Sequence, residues 1–169
     1  MKRIIFIFAI IFPLFVLSQF TLDLVEKQIA RAHPVRNVSS DWLHQVLFGR
    51  DSSQVVLFDV REEKEYNMSH LPGAIRISPH MDIQNFLEKY RPELRSHQAV
   101  FYCSVGKRSS EFLERLLEAD TTLSADSLAN LQGGIFRWYN NRYPVVNDSG
   151  ETDQIHPFNS FWGQLIKKR

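Results

Sequence analysis

The chain has a single cysteine, Cys103, among 169 residues, which excludes an internal disulfide and any metal site built from several thiolates. Charge of one sign is missing too: 20 Lys and Arg against 19 Asp and Glu leave a formal net charge of +1. No basic stripe is interleaved with aromatics, so nothing points to a nucleic-acid partner. The six histidines are scattered, and none forms a His-x-x-x-His pair, so no metal is expected. Gly133 and Gly134 lack the Lys-Ser/Thr that follows in a phosphate loop, and they read as a tight strand-to-helix turn. There is no repeat or low-complexity tract. What remains is 44% hydrophobic and 12% aromatic, the composition of a globular domain with a real core.

Met1-Lys2-Arg3 precede an uncharged, largely apolar run over residues 4–17, the length of a signal-peptide core. Val16 and Ser18 offer small residues before a cut at Gln19. The apolar character resumes at Phe20 and Leu22, so residues 4–22 also approach the length of a membrane-spanning helix. Residues 1–22 are therefore expected to be a signal peptide or signal anchor that exports the chain to a periplasm or holds it at the membrane facing that side. Residues 23–34 read as a charged helical linker, 35–146 as the domain, and 147–169 as a polar linker followed by an amphipathic helix. In that last stretch Pro157, Phe158, Phe161, Trp162, Leu165 and Ile166 fall on one helical face, as in a helix docked on the domain or one lying at a membrane interface with a basic end.

Between residues 35 and 146, short apolar runs alternate with helical periodicity. Strands are expected near residues 37–38, 55–58, 74–77, 99–102 and 128–131, and helices near 40–48, 62–67, 83–90, 110–119 and 135–140. Val145 and Val146 are too short an apolar pair to predict a further strand. The alternation implies an α/β sandwich with a mainly parallel central sheet of about five strands and right-handed crossovers. Ligands in such sheets bind beyond the carboxyl ends of the strands, where Cys103 falls.

Cys103 closes the apolar run Ala99-Val100-Phe101-Tyr102 and opens the loop Ser104-Val105-Gly106-Lys107-Arg108-Ser109. Gly106 tolerates the backbone of a tight turn, whose successive N–H groups can converge on an anion. The start of a helix adds positive potential, and Lys107 and Arg108 add two full charges. A helix N-terminus ordinarily favours acidic residues, so cations there suggest an anion to hold and an activated thiolate.

Cys103 followed by four residues and then Arg108-Ser109 resembles the active loop of rhodanese domains, which carry sulfane sulfur as a cysteine persulfide. Three further stretches resemble the family in the same order: Phe58-Asp59-Val60-Arg61-Glu62 with Tyr66, Ser69-His70-Leu71-Pro72-Gly73-Ala74-Ile75, and Leu131-Gln132-Gly133-Gly134-Ile135 with Trp138. The resemblance implies a rhodanese-like three-layer sandwich and a sulfurtransferase with Cys103 as nucleophile and no cofactor. A small sulfur-containing anion such as thiosulfate would be the donor, and a thiol or cyanide-like molecule the acceptor. Ser104 to Ser109 would bind the donor. Asp59 and Arg61 would frame the loop as a supporting ion pair, and His70 would be structural. Glu65 is not located by the sequence.

Two other classes compete. Cysteine phosphatases and arsenate-handling enzymes of this fold use a Cys-x5-Arg loop usually preceded by His. This chain has Cys-x4-Arg preceded by Tyr102, a smaller ring of amides. A non-catalytic binding module is the third class, against which the intact Cys103 stands.

Overall fold

A computed structural model describes residues 21–49 and 54–169. The expected signal or anchor lies outside the described residues except for Thr21 and Leu22, which cap and begin the first described helix, α1 (Leu22–Ala32). Among the described residues no helix is long and apolar enough to cross a membrane.

Five strands form one parallel sheet: β1 (Asn37–Val38), β2 (Val55–Asp59), β3 (Ile75–Arg76), β4 (Gln98–Tyr102) and β5 (Leu128–Leu131), in the order β1-β5-β4-β2-β3. Side chains of a strand alternate between faces, so the two central strands feed two separate cores. Leu57, Val100 and Tyr102 pack on one face with α1, α2 (Ser40–Leu47) and α6 (Gly134–Asn140). Phe58, Ala99 and Phe101 pack on the other with α4 (Ile83–Ser96) and α5 (Lys107–Ala119). There Phe58, Phe86, Phe101 and Phe112 form a chain of ring contacts with centroids 4.9–5.9 Å apart. The result is the expected three-layer α/β sandwich. A short helix, α3 (Glu63–Met68), follows β2 and carries Glu65 toward the carboxyl edge of the sheet.

Four local expectations change. The stretch expected to be a linker, 23–34, is α1, and Leu22, Val25 and Ile29 are buried in the core. Its Glu26 takes a 2.7 Å ion pair from Arg137 of α6, so the helix belongs to the domain. Helix α4 runs through Pro92 to Ser96, beyond the expected end at residue 90; burial of Leu94 on the face of Phe86, Leu87 and Tyr90 outweighs the backbone bond that proline cannot donate. Val145 and Val146 do form a strand, β6 (Val145–Asn147), because β7 (Gly150–Thr152) turns back to pair with it and His70 bridges to Val146.

The fourth change is at the C-terminus, where no amphipathic helix forms. Asn159 Oδ1 accepts the N–H groups of Phe161 and Trp162 at 3.0 Å, an Asx turn that competes with helix. Phe158 sits at φ 63°, and only a 3-10 turn, Trp162–Leu165, follows. The segment is nevertheless tied to α6: Asn140 donates to Leu165 O at 2.8 Å and accepts Lys167 N–H at 2.8 Å. Arg169 stacks 3.9 Å from the centre of the Tyr139 ring.

Candidate active site

Strand β4 delivers Cys103 to the carboxyl edge of the sheet, and α5 begins only four residues later. Gly106 makes so short a connection feasible: its φ of 100° is a left-handed conformation, and a Cβ would stand 3.1 Å from Asn130 Nδ2. Held this way, the Gly106 N–H donates to Cys103 Sγ at 3.2 Å. The Ser110 hydroxyl donates to the Gly106 carbonyl at 2.8 Å. The Ser109 hydroxyl donates to Asn130 Oδ1 at 2.7 Å, and Asn130 in turn donates to Asn37 on the edge strand β1 at 2.8 Å. Both serines that follow Arg108 are thus buried fasteners of the loop.

The Gly133-Gly134 turn closes the loop from the other side. Ile135 and Phe136 donate their N–H groups to the carbonyls of Cys103 at 2.9 Å and Ser104 at 3.0 Å. A Cβ on Gly134 would overlap the Cys103 carbonyl oxygen, so the close approach admits only glycine. The first-turn amides of α5 have no intrahelical acceptor by helix geometry, and they open beside the thiol.

Arg108 does not stand as a free cation. Its two terminal nitrogens each donate at 2.8 Å to the carboxylate of Glu65, and one also reaches Ser104 Oγ at 3.1 Å. The Ser104 hydroxyl donates to Glu65 Oε1 at 3.0 Å. Glu65 is fully buried; burial alone would raise its carboxyl pKa, but the Arg108 hydrogen bonds and charge outweigh this and hold it below the ordinary value. For Arg108, burial lowers the pKa and Glu65, then Cys103, raise it, with a net rise that keeps the guanidinium charged. Lys107 points away to an exposed i,i+4 ion pair with Glu111.

Asp59 and Arg61 form a fully buried bidentate pair at 2.8 and 2.6 Å. Arg61 also donates to Ser69 O at 2.7 Å and lies 5.8 Å from the centre of the Tyr102 ring. Burial would lower the Arg61 pKa, but Asp59 overrides it and holds it above its ordinary value. Tyr102 titrates well above its ordinary value because of burial and the Asp59 charge, and its hydroxyl accepts Leu71 N–H at 3.0 Å. This network braces the loop after β2 against the end of β4. His70 is structural: it stacks on Tyr66 at 3.8 Å and its Nδ1 meets Tyr66 O at 3.0 Å.

Cys103 is only 1% exposed, and a cavity of about 230 Å³ lies over it, lined by Cys103, Ser104, Val105, Lys107, Arg108, Phe158 and Trp162. The sequence reading did not bring Glu65, Asn130, Phe158 or Trp162 to the site. Glu65 carries a local signal, a capping box with Glu62 that fixes its place on α3. The other three arrive only through tertiary packing. Among the described residues no group of three His, Cys, Asp or Glu side chains is placed to hold a metal ion.

A sequence profile of the rhodanese-like domain matches residues 39–141. A tRNA uridine(34) hydroxylase of Staphylococcus saprophyticus is 28% identical over 86 residues, 50% of this chain and 26% of that protein. The chain therefore spans about a quarter of the length of that relative. Among solved structures, a Bacillus halodurans protein superposes with a TM-score of 0.59 at 14% identity, covering 85% of this chain and 97% of the other. The thiosulfate sulfurtransferase of Pseudomonas aeruginosa superposes with a TM-score of 0.59 at 17% identity, covering 85% of this chain and 26% of the other. Those two likenesses establish the shared fold. The profile spans more than half of the chain and includes the Cys103 loop, Asp59, Arg61, Glu65 and the Gly133-Gly134 turn, so the chain belongs to the rhodanese-like domain family.

Proposed function

We propose that the domain is a sulfurtransferase that carries sulfane sulfur as a persulfide on Cys103. The observation that supports this reading best is the Gly106 N–H aimed at Cys103 Sγ at the mouth of α5, a backbone donor on the atom that would carry the transferred sulfur. The thiolate attacks the outer sulfur of a donor such as thiosulfate. A new S–S bond forms at Sγ, the donor's own S–S bond breaks, and sulfite leaves with its electron pair. A thiol or cyanide-like acceptor then attacks the outer sulfur of the persulfide and regenerates the Cys103 thiolate. Covalent catalysis divides one transfer into two easier ones, and the loop amides stabilise the anionic sulfur in both.

Hydrolysis of a phosphate ester is disfavoured because both terminal nitrogens of Arg108 are already bound to Glu65. The hydroxylase name of the staphylococcal relative belongs to a far longer chain, and no hydroxylation step is proposed here.

Intact-mass spectrometry after incubation with sulfane donors, thiosulfate first, tests the reading. One sulfur atom is gained per chain, cyanide removes it as thiocyanate, and Cys103→Ser gains none. No sulfur gain with any donor, or retained transfer in Cys103→Ser, refutes the mechanism. Export by residues 1–22 is a separate part of the proposal. A reporter active only outside the cytoplasm, fused after Arg169, should be active, and a silent reporter rejects export.

A further inference from the structure

The cavity over the thiol lacks an uncompensated full charge. Arg108 is neutralised by the buried Glu65, and Lys107 by Glu111. The walls are Val105, Phe158 and Trp162, with the aliphatic stem of Lys107 alongside. Beside it lies a larger cleft of about 680 Å³, which shares Arg108 and Phe158 with the thiol cavity. Its lining carries four glutamates, Glu62, Glu111, Glu114 and Glu118, against Arg108 and Arg115, with His80 beside Glu62 and His33 beside Glu114. A dianion approaching a thiolate this way meets an excess of carboxylates, and the one guanidinium at its destination, Arg108, is already held by Glu65.

The apolar wall is a built feature. Phe158 occupies a left-handed conformation at φ 63°, which is strained for a non-glycine residue, and remains 43% exposed. It is held there by its own N–H donating to His156 Nδ1 at 3.0 Å, and its ring lies 5.0 Å from Arg108 Cζ. Pro157 packs against Gly163, and Gly163 N–H donates to Asn159 O at 2.9 Å, so residues 157–163 close into a compact strap. Strain in a residue whose ring is only partly buried and faces the cavity points to a role at the site it overhangs.

We infer that Phe158 and Trp162 select a sulfur donor of one negative charge with an apolar body, an organic thiosulfonate, over the compact dianion thiosulfate. This inference rests on the sulfur-transfer reading. For a thiosulfonate the balance is simple: the Cys103 thiolate takes the terminal sulfur, the sulfur–sulfur bond of the donor breaks, and an organic sulfinate leaves with the electron pair. The cavity, at about 230 Å³, lies below the roughly 300–1,000 Å³ of drug-sized pockets and suits a donor with a single ring.

The test compares benzenethiosulfonate with thiosulfate on the full chain, each persulfidation rate divided by that of free cysteine with the same donor. The normalised kcat/KM is expected to favour benzenethiosulfonate by about tenfold or more, the scale of burying one ring face. Phe158→Ala and Trp162→Ala should each lower that ratio severalfold, chiefly through KM for the aromatic donor. Because the ratio is taken within one preparation, loss of folded protein does not move it. Transfer from neither donor refutes the sulfurtransferase reading itself. Transfer from both with thiosulfate equal or better refutes only the donor inference, and a ratio unchanged in both variants refutes the assignment to Phe158 and Trp162.

Discussion

Replacing Glu65 by glutamine separates the charge of the pocket from its shape. The buried carboxylate accepts four hydrogen bonds: two from Arg108, one from Ser104 and one from the Glu62 N–H. Glutamine keeps one acceptor and turns the other position into a donor. Its better orientation places the amide nitrogen at the Oε1 position, where Ser104 Oγ can accept and only the bond from Arg108 Nη2 is lost. A hydrogen bond to a charged group contributes about 1.5–3 kcal/mol, and an Arg108 side chain 21% exposed argues for the lower half of that range. A loss of about 2 kcal/mol lowers Tm by about 4–8 °C in a chain of this size. The effect depends on pH. The carboxyl is held below its ordinary value of 4.5, so its contribution is full above that value and is lost as pH falls through the lowered folded pKa. Calorimetry should therefore show a constant Tm gap between the two proteins from about pH 7 to about pH 5 that closes in acid. The same substitution leaves Arg108 uncancelled and should raise thiosulfate use relative to benzenethiosulfonate. A Tm gap below about 1 °C at neutral pH, the scale of a solvent-screened pair, or a gap that persists in acid, refutes the structural account.

Two further substitutions probe the frame. Arg61→Met leaves Asp59 buried without its partner and should destabilise by about 3–5 kcal/mol in chemical denaturation, whereas a loss under about 1 kcal/mol would mean that water reaches Asp59. Gly106→Ala forces a Cβ into a left-handed conformation 3.1 Å from Asn130; a cost of about 1–2 kcal/mol and at least tenfold slower persulfide formation are expected, and an unchanged rate would remove the Gly106 N–H from the mechanism.

Much of the architecture was legible in order along the chain. The two central strands show as apolar runs because both faces of a parallel sheet are covered, and Cys103 stands out as the candidate nucleophile because its loop combines a lone thiol, glycine and cations at a helix start. Asp59 and Arg61 could be placed at the same sheet edge because they directly follow β2. These are local signals, encoded within a few residues.

Partnership across the fold was not legible. Sequence alone puts Lys107 and Arg108 side by side as equals, but their positions on α5 send one to Glu111 in solvent and the other to a carboxylate 43 residues away. Periodicity places Phe158 and Trp162 on a helix, yet the Asx turn at Asn159 and the docking of Leu165 and Arg169 on α6 fold them back over the thiol. The helix at 22–32 reads as a linker until Leu22, Val25 and Ile29 meet the core and Glu26 meets Arg137. The chain by itself determined a parallel α/β sheet with a lone cysteine in a glycine-containing basic loop at its carboxyl edge, because hydrophobic period and turn chemistry are local. Only the tertiary structure decided the net charge and the walls of the pocket, because both depend on which distant side chains are desolvated together.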